Sequence, residues 1–273
     1  MEEVPTLLVA LDVDGTVLDH DGRLSDRVRD AVRRTAKDGA AVVIATGRSL
    51  PGTLPVVQRL GLQRGFVVCA NGALTVELDL GAPDGHRIVE HHTFDPSVTV
   101  RLLRETLPTG LFAVEVPGRG VLASGPFPDG ELAGEVEIVP FEELFAQEVM
   151  RVVVRSPEHT SEEFLRLVDT VGLKGLTYAV GWSAWLDLMP EGITKASALE
   201  DVRLRLGVPR SGTVAVGDGR NDLEMLAWAA RGVAMGNASA DVRAAADEVC
   251  APVGEDGVAD VLDSLGAAGA APA

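Results

Sequence analysis

Asp12 and Asp14 are separated by one residue in the segment Asp12-Val13-Asp14-Gly15-Thr16, directly after an apolar run. In a strand, residues two apart point to the same side, so the two carboxylates are expected to lie close together. Carboxylates this close repel each other unless a cation sits between or near them. A hard dication with oxygen ligands satisfies this need, and Mg²⁺ is the natural candidate. The pair therefore predicts a metal site.

Further polar residues follow two other apolar runs, and the second of these runs, which begins at Thr213, adds two carboxylates. The members of these two clusters are Thr46, Gly47 and Arg48 in the first, and Asp218, Asn221 and Asp222 in the second. In open parallel sheets, ligands bind outside the carboxyl ends of the strands. Turns and helix caps explain any single cluster of this kind. They explain three clusters at one edge badly, which favours a shared site.

Lys195 is one of three lysines in the chain and stands just inside a predicted helix start at Thr194. A lone lysine at a helix start is normally a solvated charge. Beside so many carboxylates it is also a candidate for the organic cation of the site.

The elements that must position these residues alternate between strand and helix. Nearly continuous apolar runs, typical of parallel strands buried on both faces, cover Leu7–Val13, Ala41–Thr46, Phe66–Ala70 and Thr213–Asp218. Helices are predicted between them, with Ser25 as an N-cap and Gly39 and Gly61 as stops. This spacing indicates βαβ units, and the predicted fold class is α/β with a doubly wound parallel sheet.

The middle of the chain departs from this alternation. A hairpin is predicted over Leu74–Glu90, and two helices, Ser97–Leu107 and Ser161–Val171, lie among adjacent strands. Such a pattern indicates a separate α+β unit with an antiparallel sheet. The predicted organisation is a split core, residues 1–80 and 188–273, with an α+β domain inserted over residues 81–187.

Four stretches of the chain resemble, in order, the four motifs of the haloacid dehalogenase superfamily: Asp12–Thr16, Thr46–Arg48, Lys195 with the preceding Pro190–Thr194, and Gly217–Asp222 followed by Met225. Two more segments, Asn71–Ala73 and Glu255–Ala259, look like pieces of the Cof-type phosphatases within that superfamily. The resemblance extends from about Leu7 to Leu262 and is weakest in the insertion. It implies a Rossmann-like core, with the insertion as a C2-type cap.

The resemblance also implies a role for each site residue. Asp12 would be the nucleophile that forms an aspartyl-phosphate, and Asp14 would be the general acid and base. The hydroxyl of Thr46 would hold a phosphoryl oxygen. Lys195 would offset negative charge on the phosphoryl group and on Asp12.

Backbone N–H groups around Gly15 and Gly47 would bind the phosphoryl group as well, and so would Asn221. Mg²⁺ would be held by Asp12, by the backbone carbonyl of Asp14 and by Asp218. Asp222 would act in or just outside the first coordination shell of the metal.

Several other side chains admit two interpretations. Arg48 either contacts substrate or pairs with an acidic neighbour, and the second is favoured. Asn71 either holds a turn or reaches substrate. Trp182 and Trp185 fit the core of the cap better than a platform for a sugar. Arg119 fits a solvated turn better than an anion site.

Composition limits the partners. The chain carries 24 Lys and Arg against 41 Asp and Glu, a formal net charge of −17. Such an acidic chain is not expected to bind nucleic acid or an anionic membrane. Apolar runs stay below the roughly 18 residues that span a bilayer, and the first residues lack the basic region of a signal peptide. A cytoplasmic location is therefore expected, and the oligomeric state is left open.

The predicted function is a Mg²⁺-dependent phosphatase of small phosphorylated metabolites, with sugar phosphates as one class. A phosphomutase, which would return a second phosphate to the product, is an alternative that the first motif alone does not exclude. A non-catalytic phosphate or metal sensor is another. Binding alone does not require a nucleophile paired with an acid and base, so Asp12 and Asp14 argue against the sensor.

Overall fold

The computed structural model describes residues 5–79, 81–128, 130–171, 173, 175–180 and 184–268. The strands in this part of the chain are β1 (Leu8–Leu11), β2 (Ala41–Ala45), β3 (Gly65–Cys69), β4 (Leu74–Leu78), β5 (His86–His91), β6 (Leu111–Val116), β7 (Gly120–Ala123), β8 (Val136–Ile138), β9 (Arg151–Arg155), β10 (Leu176–Val180), β11 (Trp185–Pro190), β12 (Thr213–Gly217), β13 (Arg231–Ala234) and β14 (Glu248–Val249). The helices are α1 (Asp26–Lys37), α2 (Leu50–Leu60), α3 (Ser97–Thr106), α4 (Ser161–Val171), α5 (Lys195–Leu206), α6 (Leu223–Trp228), α7 (Ala240–Ala245) and α8 (Gly257–Ala268).

The larger sheet has eight strands in the order β14-β13-β12-β1-β2-β3-β4-β5. The six strands from β14 to β3 pair in parallel, and β4 and β5 add an antiparallel edge. The chain runs outward from β1 in one direction through β2 and β3, and in the other through β12 and β13. This is a doubly wound α/β sheet, which confirms the predicted fold class, and its strand order reverses beside β1.

Helices cover both faces of the larger sheet. The apolar sides of α1, α2 and α8 pack on one face, and those of α5, α6 and α7 pack on the other. Polar caps fix where the helices begin: Ser25 accepts from the N–H of Val28 at α1, and Thr194 accepts from the N–H of Ser197 at α5. Because Thr194 ends the extended approach to α5, Lys195 is held at the first turn of that helix.

The smaller sheet has six strands in the order β10-β11-β9-β6-β7-β8, antiparallel except for the pair β7 and β8. Helices α3 and α4 pack on one of its faces, around Phe112 and Phe164. The opposite face carries Trp185 with a small apolar cluster and contributes to the wall of a cavity. This mostly antiparallel sheet and its two helices lie among the residues for which the sequence predicts an inserted α+β unit.

Sheet membership places the ends of the insertion differently from the sequence prediction. Strand β5 pairs with β4 in the larger sheet, although the boundary after residue 80 assigns it to the insertion. Strand β11 runs in the smaller sheet as far as Pro190, three residues past the predicted boundary at residue 187. The sequence pattern predicts the hairpin over Leu74–Glu90 but does not show which sheet it joins, and the boundary after residue 80 divides that hairpin. Residue 80 itself lies outside the described residues.

Within the described ranges, none of the helices combines the length and the apolar character needed to cross a bilayer.

Candidate active site

The predicted site residues meet where the strand order reverses. Strands β1 and β12 are parallel neighbours, and the backbone N–H of Asp12 donates to the carbonyl of Val216 at 3.0 Å. Asp12 therefore leaves the end of β1 directly beside Asp218, which leaves the end of β12. Both side chains are almost completely buried. A crevice at such a switch point is where open α/β sheets bind their ligands.

Lys195 lies among the buried carboxylates. Its Nζ donates to Oδ1 of Asp12 and to Oδ1 of Asp222, both at 2.6 Å, and only 1% of the residue is exposed. Asp12, Asp218 and Asp222 each place a carboxylate oxygen within 4.8 Å of the others. Three carboxylates and one ammonium leave two negative charges without a partner in this cluster. Because Lys195 is buried and bonded to two of these carboxylates, it is not a solvated charge.

The pKa values reflect this crowding. Burial raises the pKa of Asp12 well above its ordinary value, and Asp222 raises it further against the opposing effect of Lys195. Burial, together with Asp222, also raises the pKa of Asp218, to about 7. Burial alone would lower the pKa of Lys195, but Asp12 and Asp222 outweigh it and raise that pKa. The lysine therefore stays protonated, and its single positive charge does not balance the three carboxylates around it.

The donor set fits a hard divalent cation. The three clustered residues offer only carboxylate oxygens, which suit Mg²⁺ or Ca²⁺ better than metals that select thiolate or imidazole. Two charges of a dication would balance the two that Lys195 leaves. Asp222 differs from the other two residues, because Oδ2 accepts from the N–H groups of Asp218 and Gly219 at 3.0 and 2.9 Å while Oδ1 accepts from Lys195. Its observed contacts position the Asp218 loop.

Gly15 and an asparagine that the sequence analysis did not select complete the wall beside Asp218. Gly15 has φ of +82°, and a Cβ there would lie 2.2 Å from Oδ2 of Asp218. Asn237 donates from Nδ2 to the carbonyl of Gly15 at 2.9 Å and to Oδ2 of Asp218 at 3.1 Å. Thr16 donates to the other oxygen of Asp218 at 3.3 Å. Asn237 follows the end of β13, so the same strand-end rule could have found it.

Asp14 does not place its carboxylate in the buried cluster. The side chain is 57% exposed at the cavity and accepts from Nε of Arg48 at 2.8 Å and from Nη2 at 2.5 Å. The resemblance assigned its backbone carbonyl, rather than its side chain, to the metal. For Arg48 the structure favours the second interpretation, since its guanidinium pairs with an acidic neighbour.

Thr46 and Gly47 lie at the end of β2, facing the same cavity. Thr46 is buried, and its Oγ1 accepts from the backbone N–H of Arg48 at 3.2 Å. The carbonyl of Gly47 accepts from Nη1 of Arg151, which belongs to β9 of the smaller sheet, at 2.5 Å. The loop after β2 is thus joined to the insertion by a charged side chain that the sequence analysis did not identify.

Asn71 joins three parts of the site. It lies in the left-handed region at φ of 54° and is 3% exposed. Its Oδ1 accepts from Nδ2 of Asn221 at 2.9 Å, and its Nδ2 donates to Oδ2 of Asp187 on β11 at 3.1 Å. Asn71 therefore connects the loop after β12 to the smaller sheet, a role that neither interpretation of this residue had included.

The site opens into a cavity of about 720 Å³ between the two sheets. The core contributes residues such as Asp12, Thr46 and Asp218, and the insertion contributes Trp185 and Asp187. Trp182 lies outside the described residues. Arg119 binds Glu137 and Glu143 at the surface of the smaller sheet, as expected for a solvated turn.

Comparison with known proteins extends these observations. The model of the haloacid dehalogenase-like hydrolase family matches residues 9–114 and 129–262. A phosphoglycolate phosphatase of Natronomonas pharaonis is 32% identical, over 93% of this chain and 96% of its own. The 5-amino-6-(5-phospho-D-ribitylamino)uracil phosphatase YcsE of Bacillus subtilis is 29% identical, over 96% of each.

Among solved structures, the subclass IIB sugar phosphatase BT4131 superposes with a TM-score of 0.80 at 26% identity, covering 96% of this chain and 99% of that one. The family match covers most of the chain, with strands of both sheets, and the relatives are named as phosphatases. The chain therefore belongs to the haloacid dehalogenase-like hydrolases and is a phosphatase of their Cof type.

Proposed function

We propose that this phosphatase is Mg²⁺-dependent and hydrolyses small phosphorylated metabolites through an aspartyl-phosphate on Asp12. The observation that carries the proposal is the contact of Lys195 with Oδ1 of Asp12, which fixes a buried carboxylate at the base of a cavity. A cavity of about 720 Å³ has the size of a small-molecule site. The relatives named above act on small phosphate esters, which supports the same class here.

In the first step, Oδ2 of Asp12 attacks phosphorus while the bond from phosphorus to the leaving oxygen breaks. Lys195 holds the other oxygen, Oδ1, so the attacking oxygen keeps its direction. A protonated Asp14 gives its proton to the leaving oxygen, which departs as an alcohol. Thr46 and the N–H groups near Gly15 and Gly47 bind the phosphoryl oxygens during this transfer.

In the second step, Asp14 takes a proton from a water molecule as the oxygen of that water attacks phosphorus. The bond from phosphorus to Asp12 breaks, which returns the carboxylate and releases inorganic phosphate. Asp14 is again protonated, so protons and charges balance over the cycle. The mouth of the cavity, where Asp14 is half exposed, is the position from which one group can meet both the leaving alcohol and the water.

Asp12, Asp218 and the carbonyl of Asp14 are proposed to hold Mg²⁺, with Asp222 holding the loop that carries Asp218. When bound, the cation supplies positive charge to the phosphoryl oxygens. Asn221 is proposed to bind the phosphoryl group by its backbone or side chain, its amide being anchored by Asn71.

The test is release of inorganic phosphate from p-nitrophenyl phosphate by the dialysed protein, with and without Mg²⁺. Turnover that requires Mg²⁺ is expected. Full turnover in excess EDTA would contradict the metal assignment, and absence of turnover would leave a binding protein. A further arm adds a hexose monophosphate with a hexose bisphosphate activator. Transfer of phosphate to the sugar in place of release to water would identify a phosphomutase.

A further inference from the structure

One face of the smaller sheet carries polar side chains toward the cavity. Side chains alternate across a strand, so Trp185 and Asp187 of β11 share a face, while Leu186 and Leu188 pack into the apolar core on the other side. Arg151 of β9 and Glu115 of β6 lie opposite each other in the register and point to the same face as Asp187. The face therefore carries a buried group of two carboxylates and one guanidinium.

Arg151 holds this group and ties it to the core. Its Nη2 donates to Glu115 at 3.0 Å, and its Nη1 lies 3.4 Å from Oδ1 of Asp187 and 2.5 Å from the carbonyl of Gly47. Its Nε is the buried side-chain nitrogen that, among the described residues, has no hydrogen-bond partner. Leaving such a donor unpaired costs free energy. Arg151 nevertheless lies where its guanidinium joins the smaller sheet to the loop that carries Thr46.

Asp187 is held from both sides and retains acceptor capacity. Oδ1 accepts from Nε1 of Trp185 at 3.1 Å and from Arg151. Oδ2 accepts from Asn71 at 3.1 Å. Each carboxylate oxygen has two lone pairs, so Oδ2 can accept one more hydrogen bond. Since Asp187 lines the cavity beside Trp185, that hydrogen bond is available to a molecule bound there.

The charges around the cavity disfavour a substrate that carries a second anionic group. The arginines that line it in the described part of the chain are each paired with a carboxylate: Arg48 with Asp14, Arg151 with Glu115 and Asp187, and Arg220 with Asp241. The lining also contains six acidic residues: Asp12, Asp14, Glu131, Glu162, Asp187 and Asp218. Most of these carboxylates are paired as well, but Asp218 has no basic partner among the described residues. A second anionic group on the substrate would therefore have to displace a carboxylate from a guanidinium and would add to the negative charge near Asp218.

We propose that Asp187 is a specificity-determining residue that accepts a hydrogen bond from a hydroxyl of an uncharged, hydroxyl-bearing leaving group, with the ring of Trp185 beside it. This rests on the proposed phosphatase function and names the class of leaving group. Arg151 and Asn71 are positioning residues, because they fix Asp187 to the loops of the phosphate site. A leaving group that carries a carboxylate is disfavoured.

The experiment measures kcat/KM on four kinds of ester: hexose 6-phosphates, their mono-deoxy analogues, phosphoglycolate and p-nitrophenyl phosphate. The wild-type protein should lose at least about tenfold in kcat/KM at one deoxy position, since a site built to bind a hydroxyl leaves its acceptor unpaired without it. Phosphoglycolate should be at least about tenfold poorer than the best hexose phosphate.

Asp187→Asn should bring the ratio between the parent sugar phosphate and that deoxy analogue close to one. Its loss on the parent should exceed its loss on p-nitrophenyl phosphate by about tenfold. Glu137→Gln is the matched control, since Glu137 is a carboxylate of the same sheet that binds Arg119 away from the cavity. The control should leave every ratio unchanged.

Wild-type activity that ignores every single deoxygenation, or prefers phosphoglycolate, would overturn the subsite, and this arm holds even if the variant fails to fold. Equal losses on all four kinds of ester in Asp187→Asn would also overturn it and leave Asp187 a structural residue. Phosphate release from p-nitrophenyl phosphate in either case would keep the proposed function intact. Absence of release from every ester would overturn both.

Discussion

Arg48 donates to both carboxylate oxygens of Asp14, from Nε at 2.8 Å and from Nη2 at 2.5 Å. The third nitrogen, Nη1, donates to the carbonyl of Gly52 in the first turn of α2 at 3.3 Å. The orientation of Asp14 is therefore set by a residue from another strand end. Proton transfer to a leaving group needs only one of the two oxygens to turn from Arg48 toward the substrate, while the other stays held.

Arg48→Ala is accordingly expected to lower kcat on p-nitrophenyl phosphate by about tenfold or more, because hydrogen bonds to charged groups are worth about 1.5–3 kcal/mol. Arg48→Lys should recover part of the loss, since an ammonium can hold one oxygen but not both. Arg59→Ala is the control, as Arg59 donates to the exposed carbonyl of Gly22 and does not line the cavity in the described part of the chain. Values of kcat within twofold of wild type in Arg48→Ala would show that Asp14 needs no such partner.

Asp12→Asn should abolish turnover, because an amide is a poor nucleophile, while circular dichroism should show an unchanged fold. Asp14→Asn should lower kcat at least about a hundredfold, the usual effect of removing an acid or base. The two variants should differ in whether substrate phosphate becomes bound to protein in a rapid acid quench, with label expected only where Asp12 is intact. Label on the Asp12→Asn protein would show that the nucleophile has been misassigned.

The sequence predicted the core of the site because its residues come from strand ends and helix starts. Asp12 and Asp218 follow apolar runs that become adjacent parallel strands, and the cap at Thr194 places Lys195. Periodicity and capping are local properties, so they can be recognised without a partner element.

The contacts between the two sheets could not be predicted in the same way. Arg151 and Asp187 belong to strands of the insertion and reach the site only because Gly47 and Asn71 pack against them. From the sequence alone, a charged residue in a strand is expected to face solvent, and only the neighbouring element shows that it is buried. The hairpin over Leu74–Glu90 was predicted, and β4 does pair with β5, but its place in the larger sheet depends on the pairing of β4 with β3.

Asp218→Asn and Asp222→Asn should separate metal binding from loop support. Asp218→Asn is expected to raise the Mg²⁺ concentration for half-maximal activity by at least about tenfold, since it removes a charged ligand. Asp222→Asn leaves Lys195 with one carboxylate instead of two, and disturbs the bonds to the N–H groups of Asp218 and Gly219.

Asp222→Asn should therefore lower the melting temperature of the metal-free protein, whereas Asp218→Asn should not. Differential scanning fluorimetry in EDTA and Mg²⁺ titrations of activity measure the two effects. A melting temperature that falls equally in both variants would show that metal binding and loop support are not divided between Asp218 and Asp222.

The stability of the metal-free protein should fall as the pH rises from about 5 to about 8. Burial, with Asp222 nearby, raises the pKa of Asp218 to about 7 from an ordinary value of 3.8, so the folded protein holds a proton that the unfolded chain has released. The resulting stabilisation is complete below the ordinary pKa and is lost as the pH passes through about 7. The raised pKa of Asp12 acts in the same direction. Glu200, whose pKa is lowered to about 2 by Arg203, loses its contribution only in more acidic solution and does not oppose this trend.

In EDTA, the melting temperature should drop by about 3 °C or more over this interval, the shift expected for roughly 1 kcal/mol in a chain of this size. Mg²⁺ should raise the melting temperature more at pH 8 than at pH 5, because the cation competes with protons for the same carboxylates. Asp218→Asn removes one of the two titrating carboxylates and should weaken both dependences. If the metal-free protein instead became more stable toward pH 8, the buried carboxylates would already be balanced without a cation, and the charge argument for the metal would fail.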